Sequence, residues 1–311
     1  MNIMTYSRQG HCPSQIDTKT RHMRSIREIE VSSLEDAVSK VQEIVDIFLD
    51  EGLLKLKGHK FSREEQLLFT RSMGDILGWN VNSNTVPDNF NSELVERWAF
   101  EAGHSDNPQV EESGSDHYLL GWHIEQVFYI DPFLAGIWNM HHIGYEDKKA
   151  GRTFFADSIR IYDDLTQGEK DFLEKSVVIW DKPIGPDRGF GPFYTKAIDV
   201  HPNTNKKVIR LESDGGTLIP LELYQFDGRT PTDEEIEQFN KIFAELRERL
   251  DRDLDIRYEQ EWDEGDVIIV DLFRMYHALT GGFGLGQRKF YATFTRPTEY
   301  THDLWNSMEL L

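Results

Sequence analysis

The run Val267-Ile268-Ile269-Val270-Asp271 constrains this chain more than any other segment. A strand with one wet face alternates apolar and polar residues, but this run offers no polar position before Asp271. It has to be buried on both faces, so the fold must place material on each side of it. The strand is expected over Asp266–Phe273. Segments 117–130, 133–142 and 151–156, rich in Ile, Phe, Tyr, Trp and Val and separated by turn residues, read as further strands, as do Leu53–Lys57 and Lys289–Thr295. Amphipathic helices supply the cover. Ala37, Val38, Val41, Ile44, Val45 and Phe48 recur at helical spacing behind the capping-box-like pair Ser33 and Asp36, and this helix stops at Gly52. Ser62 caps a second helix through about Leu77, with Gly78 beyond it. Two short helices are expected at about 158–165 and 167–175. A longer one at about 232–250 carries Ile236, Phe239, Ile242, Phe243 and Leu246 inward.

Many strands with helices outside them suggest an α+β chain built either as a β-sandwich or as a double-stranded β-helix (jelly-roll) core flanked by helices, and jelly rolls commonly house a metal between their two sheets. No repeat or linker divides the sequence, so residues 1–311 are read as a single domain. Residues 1–30 form an aperiodic N-terminal strap. Residues 181–217, with Pro183, Gly185, Pro186, Gly189, Gly191 and Pro192, form a long excursion that is a candidate lid. The charge sum narrows the partners: 34 basic against 55 acidic residues give a net charge of −21. Such a field repels nucleic acid and anionic membrane surfaces, so neither is expected as a partner. The single cysteine, Cys12, excludes an intrachain disulfide and a cysteine-based zinc site, and fits a reducing compartment. No apolar run reaches the ~18 residues of a membrane span, and Met1–Arg27 lacks the apolar core of a signal peptide. A cytoplasmic protein is expected.

Of the eleven histidines most have a plain structural or surface explanation. His141 and His142 are adjacent, so a strand points them to opposite faces. His11, His22, His59, His104, His201 and His302 lie in polar surroundings without a carboxylate at a useful spacing. His123 and Glu125 differ: in Gly121-Trp122-His123-Ile124-Glu125 a strand puts the imidazole and the carboxylate on one face, with Trp122, Ile124 and Val127 walling off the other. A third ligand must come from elsewhere. His277, at the end of the most buried strand and ahead of the turn Gly281-Gly282-Phe283-Gly284, is the best candidate. Two histidines and one carboxylate form the facial triad of non-haem Fe(II) oxygenases, which leaves coordination positions open. Eleven residues after His277 stands Arg288, a guanidinium suited to bind the far carboxylate of a dicarboxylate co-substrate in bidentate fashion.

With these residues in place the chain resembles the taurine dioxygenase / TfdA family of Fe(II)- and 2-oxoglutarate-dependent oxygenases. Gly52–Gly58 followed by Phe61–Gln66 is similar to the family's opening strand and helix, and Trp122-His123-Ile124-Glu125 to its first metal motif. Gly151-Arg152-Thr153-Phe154-Phe155-Ala156-Asp157 is similar to the segment whose threonine touches 2-oxoglutarate. Ala197–Val208, through His201-Pro202, resembles the return from the lid, and Trp262, Gly265, Asp266, Asp271, His277 and Arg288 resemble the closing block. The resemblance implies iron on His123, Glu125 and His277, and 2-oxoglutarate on Thr153 and Arg288. It also implies O2 and a small-molecule substrate as partners, succinate and CO2 as products, and a homo-oligomer.

Two positions depart from the family's pattern. Glu125 stands where most members carry Asp; a similar Glu occurs in clavaminate synthase-like relatives, whose spacing from distal His to Arg is longer. Because a carboxylate is retained, hydroxylation of an unactivated C–H bond is expected rather than halogenation. Ala292, four residues after Arg288, stands where sulfonate-binding members carry another Arg, so taurine is poorly supported and an amino acid derivative or other organic acid is expected. Arg296 is not equivalent to that missing Arg. Lys182, Arg188 and Lys196 of the excursion could meet an anionic group. Two other classes stand beside the oxygenase: a metal-binding jelly roll without oxygenase activity, and a metal-dependent hydrolase or isomerase. Arg288 with Thr153 separates them, since a hydrolytic water requires neither.

Overall fold

The computed structural model describes residues 25–79, 116–125, 133–180, 193–211, 220–225, 231–253, 255–284 and 286–295. In chain order the strands among them are β1 (Arg27–Glu30), β2 (Leu53–Lys57), β3 (Tyr118–His123), β4 (Ala135–Ile143), β5 (Thr153–Asp157), β6 (Ser176–Trp180) and β7 (Phe193–Lys196). They continue with β8 (Ile198–Val200), β9 (Lys207–Ile209), β10 (Pro220–Gln225), β11 (Arg257–Gln260), β12 (Val267–Asp271), β13 (Met275–Thr280) and β14 (Arg288–Phe294). The helices are α1 (Leu34–Ser39), α2 (Val41–Glu51), α3 (Arg63–Leu77), α4 (Ser158–Asp163), α5 (Gln167–Leu173) and α6 (Asp233–Arg252).

Two sheets face each other. One has the order β1-β2-β12-β4-β14 and the other β11-β5-β13-β3, and only β1 with β2 is a parallel pair in them. The strand β12 explains the layering. Ile268 and Val270 point between the sheets, where they meet Trp138, Phe155 and Met275. Val267 and Ile269 point the other way, under Ile44 and Phe48 of α2 and Phe69 and Met73 of α3. The second sheet has the same division. Phe155 and Met275 face inward, while Phe154, Ala156, Tyr276 and Ala278 pack under Phe239, Phe243 and Leu246 of α6. Each sheet is therefore covered on both faces, as the uninterrupted apolar run requires, and the expected jelly roll flanked by helices is the observed fold. No helix among the described residues is long and apolar enough to cross a membrane.

The structure departs from the expected elements at several places. The first helix breaks at Lys40 into α1 and α2. The strand expected to run to Phe273 ends at Asp271, whose carboxylate takes the Phe273 amide at 3.1 Å while its carbonyl takes the Arg274 amide. That aspartate turn carries the chain from one sheet to the other, so His277 lies inside β13 rather than at the end of the buried strand. Of the expected excursion 181–217, residues 193–211 carry the strands β7, β8 and β9. Ala197, Ile198, Val208, Ile209 and Leu211 are buried in the core, which corrects the boundaries of the candidate lid; residues 181–192 and 212–217 lie outside the described residues. Within the expected strap, Arg27–Glu30 is a strand, and residues 1–24 lie outside the description.

A buried ion pair fastens helices to sheets. Arg274 Nη2 reaches Asp157 Oδ2 at 2.6 Å, both side chains 3% exposed. The same guanidinium donates to the carbonyls of Leu49, Asp50 and Glu51, the last turn of α2. Gly52 makes this approach feasible. It ends α2 at φ +73°, and a Cβ there would lie 2.6 Å from Arg274 Nε.

Candidate active site

His123 and His277 are direct partners across the β3–β13 pair, and their rings lie 4.0 Å apart between centroids. Glu125 stands just past the end of β3, so only His123 of the pair is within the strand. The alternation continues all the same, with Trp122 and Ile124 buried under α6 on the opposite side. Ligand atoms of His123, Glu125 and His277 all lie within 4.8 Å of one another. His123 Nδ1 is 2.8 Å from the Gly121 carbonyl, which can only accept, so the proton is on Nδ1 and Nε2 keeps its lone pair. Burial, with His277 alongside, pushes His123 down to about 3, which keeps the ring neutral. His277 is buried and its Nδ1 has no partner among the described residues. Its Nε2 stands 3.7 Å from Glu125 Oε2, too far for a hydrogen bond. Two imidazoles, that of His277 with an orphaned buried nitrogen, and a carboxylate around a common centre fit a divalent metal.

The second half of the site lies further along the same strands. Thr153 is opposite Leu279 on β13, two residues beyond the His277–Phe155 pair. Its hydroxyl accepts from Trp262 Nε1 at 2.9 Å and lies 3.5 Å from Arg288 Nη2. Arg288 opens β14 and is 2% exposed, with its guanidinium carbon 4.8 Å from the centroid of Phe290 and 5.8 Å from that of Trp262. Its Nε and Nη1 have no partner among the described residues, and no carboxylate there pairs with it. Burial pushes its pKa down to about 10, opposed only by Tyr145. A buried guanidinium without a counter-ion is costly, and none of the described residues supplies an anion to it.

Gly151 makes room for this arrangement. It adopts φ +61°, and a Cβ there would lie 2.9 Å from Tyr145 Cζ and 3.2 Å from Arg288 Cδ. Gly151→Ala is expected to cost roughly 1–3 kcal/mol, read as a lower urea midpoint at unchanged slope. Gly168→Ala, on α5 with open space around it, is the contrast and should stabilise by roughly 0.5–1 kcal/mol.

Other histidines behave differently from one another. His141 packs edge-on against Tyr291, whereas His142 meets Glu264 at 3.1 Å, so the two do diverge. His59 has a carboxylate after all, Glu65 at 3.1 Å. His201 is a clear correction: far from lying in polar surroundings, it is fully buried and donates from Nε2 to Asp271 Oδ2 at 2.8 Å. The Asn203 and Thr204 amides approach its Nδ1. This pair ties the β8–β9 hairpin to the end of β12. Asp271, the one charge in an apolar run, was the signal that a buried partner had to exist. Tyr145, beside Arg288, also escaped the sequence reading because nothing in its neighbourhood is periodic. Ala292 lies in the inter-sheet core opposite Trp138, so no second guanidinium comes from that position. Lys182, Arg188 and Arg296 lie outside the described residues.

A His–Glu–His cluster between the sheets of a jelly roll is the donor set of the non-haem iron oxygenases. The family described as "Taurine catabolism dioxygenase TauD, TfdA family" matches residues 19–293, and the chain belongs to that family of Fe(II)- and 2-oxoglutarate-dependent dioxygenases. No curated protein matches the sequence. Among solved structures the chain is similar to a taurine dioxygenase from Burkholderia xenovorans, at 16% identity and TM-score 0.57, covering 88% of this chain and 89% of that one. It is also similar to AAD-2 in complex with Mn(II) and N-oxalylglycine, at 16% identity and TM-score 0.59, covering 90% of this chain and 98% of that one. These likenesses concern the fold.

Proposed function

We propose that residues 1–311 act as one catalytic domain that hydroxylates an unactivated C–H bond of a small organic metabolite, an amino acid derivative or other organic acid. The reaction consumes 2-oxoglutarate and O2 and releases succinate and CO2. The pairing of β2 with β12 and of β4 with β14, across most of the chain, supports the single unit. In this reading His123, Glu125 and His277 hold Fe(II), and Arg288 and Thr153 hold the distal carboxylate of 2-oxoglutarate. The observation that carries it is Arg288: a buried cation with unused donors beside Thr153, which itself lies two strand residues (about 6.5 Å) along β5 from the residue opposite His277. That separation suits a ligand with an acid group at each end.

Bound iron would supply activation of O2, with one oxygen atom going to succinate and the other to the substrate. The chain's own residues prepare the site. Gly121 fixes the His123 tautomer, so the ring presents Nε2. Trp262 occupies a lone pair of the Thr153 hydroxyl, leaving its proton free to turn toward a carboxylate. Trp138 and Phe290, with ring centroids 5.9 Å apart, and Phe155, 5.5 Å from Trp138, wall the interior against water. Ala292 argues for a substrate without a sulfonate. Anaerobic protein given Fe(II) and then 2-oxoglutarate is expected to develop a weak visible charge-transfer band that needs both. The band should disappear in Arg288→Ala at the same concentrations. Folded, iron-loaded protein with no band would remove 2-oxoglutarate from the reading.

A further inference from the structure

We propose that the Tyr145 hydroxyl is a further donor to the distal carboxylate of the co-substrate, beside Arg288 and Thr153; this rests on the 2-oxoglutarate reading above. A buried phenol oxygen is ordinarily hydrogen-bonded. The Tyr145 oxygen is buried and has no partner of normal geometry among the described residues, and the same holds for Arg288 Nε and Nη1. All of these atoms belong to one small region, because Tyr145 and Arg288 both flank the space that a Gly151 Cβ would fill. The guanidinium nitrogens can only donate, and the phenol, whose oxygen can accept from them, still has an O–H to give, so the set lacks an anionic acceptor among the described residues. A carboxylate has two oxygens and about four lone-pair positions, enough to serve them together.

The phenol is not itself the missing counter-ion of Arg288. Burial raises its pKa, outweighing the pull of the guanidinium, so it stays protonated and offers an O–H. Its position is fixed rather than incidental. The Tyr145 ring packs against Phe283 at 5.8 Å between centroids. The loop carrying it is clamped at both ends to the segment before β14, Gly144 N to Gln287 O at 2.6 Å and Gly151 N to Gly281 O at 3.0 Å. A residue fastened this way brings a hydroxyl to the guanidinium and nothing else.

Tyr145→Phe keeps the ring and deletes only the donor. With Mn(II)-loaded protein, calorimetry is expected to show the Kd for 2-oxoglutarate rising about tenfold or more, the size of a lost hydrogen bond to a charged group. Mn(II) affinity should be unchanged. The Kd for 2-oxobutyrate, which lacks the distal carboxylate, should move less than about twofold, which a general loosening of the pocket would not spare. An unchanged Kd for 2-oxoglutarate in Tyr145→Phe, or an equal rise for both oxo acids, overturns the assignment. Arg288→Gln separates the two levels. If it weakens 2-oxoglutarate while Tyr145→Phe does not, only the tyrosine assignment falls. If it too has no effect, the co-substrate reading falls with it.

Discussion

Replacing His123 by alanine is expected to lower the affinity for Fe(II) or Mn(II) about 100-fold or more while leaving the fold intact. Loss of a group that merely orients a metal ligand costs on the order of 10–100-fold, so loss of one of three protein ligands must exceed that range. The fold should tolerate it because the His123 side chain is half-buried and its hydrogen bond is to Gly121, two residues away in its own strand. Glu125→Ala should have the same effect for a related reason, its side chain being 31% exposed at the mouth of the cluster. His277→Ala should lose the metal and also some stability, since it vacates a buried position beside Trp138 and Phe155. The measurements are a metal titration and a melting curve on each variant. Metal binding that persists unchanged in His123→Ala would place the centre elsewhere.

The largest effect on stability is expected at Arg274. Arg274→Met leaves the Asp157 carboxylate buried at 3% exposure with only the half-exposed Arg160, 3.8 Å away, in place of its close cation. It also removes the donor to three carbonyls at the end of α2. Breaking a buried pair from one side costs about 3–5 kcal/mol, which corresponds to a fall in Tm of roughly 5–8 °C for a chain of this size. Lysine should rescue little, because one ammonium cannot span Asp157 and the helix end at once. The double variant Arg274→Met with Asp157→Asn should recover part of the loss by removing the stranded charge. If Arg274→Met alone melts like the parent chain, the pair does not hold α2 to the second sheet.

The residues that proved legible in the sequence are those whose signal is local. The i, i+2 spacing of His123 and Glu125 announces a shared side whether or not the strand extends to Glu125, and it does not. Val267–Val270 announces two covered faces because no polar residue interrupts it. Gly52 and Gly78 end their helices in the left-handed conformation, as a glycine after an apolar period suggests. What escaped is non-local. His201 meets Asp271 across 70 residues and Arg274 meets Asp157 across 117, distances at which no spacing rule operates. The apolar Leu272 and Phe273 extend the strand pattern of 266–273 beyond the true end of β12, because a single side chain, Asp271, folds back on the backbone and stops it. The Pro and Gly content around residues 193–211 suggests an excursion, yet Ala197, Ile198, Val208 and Ile209 supply enough buried surface to outweigh it.

The strand order β1-β2-β12-β4-β14 has a consequence for how the chain reaches its native state. Leu54 of β2 pairs with Ile269 of β12, so the middle of the main sheet joins segments separated by most of the sequence. On the ribosome β2 and β4 emerge with their common neighbour still unsynthesised, and β5 likewise waits for β11 and β13. Sheet assembly is therefore deferred until the segment from β11 to β14 is available. High contact order of this kind slows folding and leaves unpaired strand edges exposed meanwhile. Nascent chains halted before β12 should bind chaperones, whereas chains extended beyond β14 should escape them.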